Sequence, residues 1–132
     1  MLNAASGPTR PLTKAETAVI QKEIGQKLID PQSAQFEMEP YRIGSNFYCG
    51  LWNSKNKMGG YAGAELFLIQ IGDADAAPRR DTPITAVKEA FIPNDPRWVG
   101  RHAPLLELIY GTCAKNGYVA DHLRRVGYAP TP

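Results

Sequence analysis

The chain has 132 residues, 43% hydrophobic and 21% charged, with a net charge of +2. That length argues one domain able to bury a modest core. The apolar content excludes a disordered chain, and so small a charge offers no field to draw in nucleic acid or an anionic membrane. No stretch approaches the roughly 20 apolar residues of a membrane span, and 12 Gly with 11 Pro point to short elements between many turns.

The opening MLNAASGPTRPL lacks the basic region and apolar core of a signal peptide, which leaves a cytosolic protein or a mature form whose leader is gone. Residues 1–12 read as a loose tail. Thr13 followed by Glu16 makes a capping box, and Ile20, Ile24 and Leu28 fall on one face, so a helix is expected from 13 until Asp30-Pro31 stops it. Residues 35–43 alternate loosely around Pro40 and suggest an edge strand; Gly44-Ser45-Asn46 then turns the chain into a second strand over 47–53. Residues 54–63 form a polar, glycine-rich loop, and 64–71 (AELFLIQI) are apolar enough for a central strand covered on both faces. A solvated loop over 72–83 holds Asp73, Asp75, Arg79, Arg80 and Asp81. Residues 84–92 suit a strand or a short helix, the preceding Thr-Pro favouring the strand, and 104–116 read as a helix with Leu105, Leu108, Ile109 and Cys113 inward and Gly117 as its stop. A short helix over 119–126 and a tail over 127–132 close the chain. The whole is α+β: an N-terminal helix, an antiparallel sheet of three to four strands, and C-terminal helices packed on one face.

Cys49 in a central strand and Cys113 on a helix's inner face are placed to meet across the core as a disulfide. Two buried free thiols, or a thiol nucleophile at Cys49 activated by His102 or His122 in a small hydrolase, are the alternatives. Cys49, His102, Cys113 and His122 lack the close pair spacing of a zinc site, and Asp73, Asp75 and Asp81 are interrupted by arginines, unlike a calcium loop. No phosphate-loop pattern is present, and Arg79-Arg80 and Arg124-Arg125 are too short to build a nucleic-acid surface. Trp98, Arg101 and His102 are candidates to line a pocket, although Trp98 after Pro96 also suits a satellite core position. No cofactor is implied.

The sharper candidate is the segment 53–63. Asn53 and Asn56 can hold a tight turn, Gly59-Gly60 permits positive φ or a close approach, and Lys55 and Lys57 are flanked by Trp52 and Tyr61. Those six polar and aromatic residues form a small cationic and aromatic surface, or else the asparagines only cap the turn and the lysines are solvated.

Tyr48-Cys49-Gly50-Leu51-Trp52-Asn53-Ser54-Lys55-Asn56-Lys57-Met58-Gly59-Gly60-Tyr61-Ala62-Gly63 resembles a family of small, largely uncharacterised bacterial envelope proteins, many secreted or lipid-anchored. Their pattern is Cys-Gly, then Asn-x-Lys-Asn, then Gly-Gly-Tyr-x-Gly. The lead-in, from Leu28 through Asp30-Pro31 to Phe36, is similar too, so the resemblance covers residues 15–70. It implies a periplasmic or secreted protein with Cys49 paired to a later cysteine, here Cys113, and it carries no catalytic assignment. The chain departs from the family in having no leader or lipid-attachment cysteine in this sequence, and from Gly72 onward nothing matches. The function expected is a non-enzymatic envelope module that binds a protein or cell-wall component through 53–63; an inhibitor or immunity-type protein is the other binding class.

Overall fold

The computed structural model describes residues 7–28, 30–55, 58–61, 63–73, 75–93 and 102–128. In chain order these form strand β1 (Thr9–Arg10), helix α1 (Lys14–Gly25), a single 3-10 turn (Pro31–Ser33), β2 (Gln35–Glu37), β3 (Tyr41–Arg42), β4 (Phe47–Asn53), β5 (Glu65–Gln70), β6 (Glu89–Phe91), α2 (His102–Lys115) and α3 (Ala120–Arg125).

Two antiparallel sheets result: β1 with β3, and a four-stranded sheet in the order β2-β4-β5-β6. The register sets Cys49 opposite Leu68 and Leu51 opposite Leu66. Side chains alternate along a strand, so these share one face while Tyr48, Phe67 and Ile69 take the other. Tyr48 to Leu51 and Leu66 to Ile69 are all buried, so both faces of β4 and β5 are covered, as the unbroken apolar run of β5 predicts. Helix α2 packs against β4 and β5 and is bonded to the first face through Cys49–Cys113, whose Cα atoms lie 5.9 Å apart. On the other face Phe67 meets the rings of Phe36 and Tyr48, each with centroids 6.1 Å away. Burial pushes the Tyr48 and Tyr118 phenols well above their ordinary range.

The Thr13–Glu16 capping box forms as the spacing predicts: Glu16 N–H donates to Thr13 Oγ1 at 3.1 Å and Thr13 N–H donates to Glu16 Oε1 at 2.9 Å. Ile20 and Ile24 are fully buried. The helix is shorter than expected, ending at Gly25, and Asp30-Pro31 opens the 3-10 turn instead of closing α1. Gly117 stops α2 with φ +79, Tyr118 N–H bonding back to Cys113 O at 3.0 Å.

Further expectations are corrected. Residues 7–12 are not a loose tail: Thr9 and Arg10 pair with Arg42 and Tyr41. The strand expected over 35–43 is two strands in different sheets, separated at Pro40. Over 84–92 only Glu89–Phe91 form a strand, and Ile84 N–H is turned instead to the Glu16 carboxylate at 2.8 Å. Leu108 is 45% exposed rather than inward, lying about 100° round the helix from buried Ile109. Leu105 lies outside the described side chains. At the C-terminus Tyr128 is held against Tyr110, ring centroids 5.6 Å apart, so the expected tail begins no earlier than 129.

Candidate functional site

Trp52 pairs with Glu65 at the last rung of the β4–β5 ladder, and the connection beyond it is the segment singled out in the sequence. Its base is pinned in four places. Lys55 and Tyr61 form an isolated antiparallel bridge. Lys55 N–H donates to Ser33 Oγ at 3.0 Å, Tyr61 O–H donates to Ser33 O at 3.1 Å, and Gly63 N–H donates to Asn53 Oδ1 at 3.2 Å. Asn53 therefore closes the turn, one of the two roles its residue type suggested. Gly59 and Gly63 hold φ +84 and +103, and a Cβ there would meet nothing within 4 Å, so positive φ rather than close approach explains them.

Beyond these anchors the described residues 58–61 are exposed. Met58 is 92% exposed and Tyr61 45%, with Lys55 exposed beside them. Asn56 and Lys57 lie outside the described residues. Trp52 is placed differently: its ring is half-buried, its Nε1–H donates to Leu66 O at 3.2 Å, and it lines a groove of about 230 Å³ with Phe36, Leu51 and Arg125. Neither Lys55 nor Tyr61 lines that groove. Thus Ser33 joins Lys55 and Tyr61, while Asn53 bonds Gly63 and lines the groove together with Trp52.

Cys49 and Cys113 are joined in a disulfide and both are fully buried. No thiol is left at either position, which removes the nucleophile that the hydrolase reading required. His102 opens α2, while Trp98 and Arg101 lie outside the described residues. Among the described residues no three His, Cys, Asp or Glu side chains are grouped to hold a metal ion. Two aspartates of the 72–83 loop bond to bases instead: Asp73 with Lys88, and Asp81 with Arg10. No helix among the described residues is long and apolar enough to cross a membrane.

The sequence puts Val119 and His122 on a short helix and offers His122 as a partner for Cys49 or as one of four unpaired candidate zinc ligands; in the structure it is 8% exposed and lines a cavity of about 360 Å³. A His on a short helix beside a Gly-Tyr-Val turn carries no local signature of such a cavity.

Comparison with protein-family models, with curated proteins and with solved structures found no match.

Proposed function

We propose that this chain is an exported, non-enzymatic module of the bacterial envelope that holds a protein or cell-wall partner through the hairpin over residues 53–63. The observation that carries this reading is a clamped base beneath an exposed tip. Ser33 fixes Lys55 and Tyr61, while Met58 and Tyr61 stay open to solvent. A surface ordered before contact loses less entropy on binding, and Met offers an adaptable apolar contact that Lys55 complements with charge. The disulfide fits an oxidising compartment, where a domain this small gains from a covalent staple. The resemblance of residues 15–70 to envelope proteins points the same way.

The test is capture by the immobilised, disulfide-intact chain from two sources, periplasmic extract and purified cell-wall sacculi. Replacing Lys55→Ala, Met58→Ser and Tyr61→Ala together is expected to weaken capture at least about tenfold, equivalent to about 1.4 kcal/mol. All three are exposed, but Tyr61→Ala also removes the O–H bond to Ser33 O, so the triple variant is expected to lose about 1 kcal/mol of stability, and Lys55→Ala with Met58→Ser serves as the control that keeps this anchor. Undiminished capture by the triple variant overturns the proposal.

A further inference from the structure

The space between β2 and α3 collects three departures from ordinary protein structure. Val119, a β-branched residue, holds φ 51 and ψ 38 at the start of α3. The left-handed region is a steric outlier for such a side chain and persists only where its surroundings enforce it. His122 is 92% buried, and its Nε2 has no hydrogen-bond partner among the described residues. A buried polar nitrogen without a partner has lost its water and gained nothing in return. Both residues line the same cavity of about 360 Å³, near the small end of the range of about 300–1,000 Å³ typical of ligand pockets.

The lining carries charge of both signs. Glu37, Glu39 and Asp121, which pairs with Arg124, border the space, as do Arg42 and Arg125. Two of the five are fastened to the backbone: Glu39 Oε1 accepts Val119 N–H at 3.0 Å, and Arg42 donates to Gly117 O at 2.8 Å. Those bonds hold the turn that puts Val119 in its unusual conformation and fix the cavity's shape. Buried Leu51 contributes an apolar patch, and Glu37, Leu51 and Arg125 continue into the groove beside Trp52. A simple anion entering here meets three carboxylates, and a simple cation meets two guanidinium groups. A molecule carrying both charges has a partner for each.

We propose that this cavity binds a small zwitterion, an amino acid or the end of a short peptide. Its ammonium lies toward Glu37 and Glu39 and its carboxylate toward Arg125. The site is separate from the 53–63 hairpin, and the two proposals stand or fall independently.

The experiment uses the isotope-labelled, disulfide-intact chain, titrated with alanine, alanyl-alanine, acetate, ethylamine and sodium chloride while amide and imidazole resonances are followed. Saturable shifts at Val119, Ala120 and His122 with alanine or alanyl-alanine, at a Kd of about 1 mM or tighter, are the expected result. Which of the two saturates first distinguishes a free amino acid from a peptide end. Glu37→Gln and Arg125→Gln each remove an exposed charge and are expected to weaken binding at least tenfold without moving the unfolding midpoint. The Lys55/Met58/Tyr61 triple variant should bind alanyl-alanine like the parent. The proposal is overturned if neither zwitterion saturates these resonances by about 20 mM. Equal shifts from acetate, ethylamine or salt overturn it too, as does indifference to both charge substitutions.

Discussion

Arg10 holds two acids at once. Its two Nη atoms donate to the two oxygens of Glu16 at 2.7 and 2.8 Å, its Nε donates to Asp81 at 2.8 Å, and its guanidinium lies 5.1 Å from the centre of the Tyr41 ring. Glu16 also accepts the backbone N–H groups of Thr13 and Ile84. The Arg10 hydrogen bonds, with help from those two amides, outweigh burial and hold this carboxyl at about 2, well below its ordinary 4.5. A folded value below the unfolded one contributes stability that is present above about pH 4.5 and drains away as pH falls toward 2. Glu16→Gln keeps the shape and removes the charge, leaving Arg10 facing a neutral amide. The expected loss is about 2–4 kcal/mol at neutral pH in urea unfolding, with the gap between variant and parent closing as pH drops from 5 to 2. A gap that stays constant across that range would refute this account. At this scale the sequence discloses half of the arrangement. The Thr13–Glu16 spacing is local and readable, whereas Asp81 and Ile84 lie 71 and 68 residues from the groups they meet, beyond any periodic signal.

The central hairpin depends on Gly50 for a reason of space. A Cβ at this position would lie 2.6 Å from the Phe67 ring and 3.0 Å from Glu37 O, so the Cys-Gly pair admits the aromatic ring of the neighbouring strand. Gly50→Ala is expected to destabilise the chain by about 1–3 kcal/mol. Phe67→Leu should recover part of that loss when combined with it, a coupling that a double-mutant cycle measures. Additive effects would show that the ring and the glycine do not share the space. The strands of this hairpin are also the elements best read from sequence. The expected strand over 47–53 is β4 as observed, and 64–71 differs from β5 by one residue at each end, because apolar runs bounded by turn formers are local signals. β1 is absent from that reading: two residues have no period, and they become a strand only when Tyr41 and Arg42 arrive beside them.

For the molecule as a whole, one covalent link ties the sheet to α2. The Cys49–Cys113 bond spans 64 residues, and in the chain-entropy picture a loop of that length stabilises the fold by about 4 kcal/mol. Replacing both cysteines with Ala is expected to cost about that much in urea unfolding, and adding reductant should affect the parent but not the variant. The sequence placed the two cysteines on a strand and a helix that could meet, and it marked the 53–63 hairpin. It could not show that Ser33 anchors that hairpin, since those contacts cross 22 and 28 residues, nor that Val119 and His122 share a cavity. The same 64-residue spacing has a temporal side. A ribosome adds about 5–20 residues per second, so Cys113 is made roughly 3–13 s after Cys49. Pairing of β4 with β5 needs only sequence up to Gln70, and hairpins close in about 1–10 μs. Disulfide formation takes seconds to hours, so in refolding of the reduced chain Cys49 is expected to lie against Leu68 before its bond to Cys113 forms.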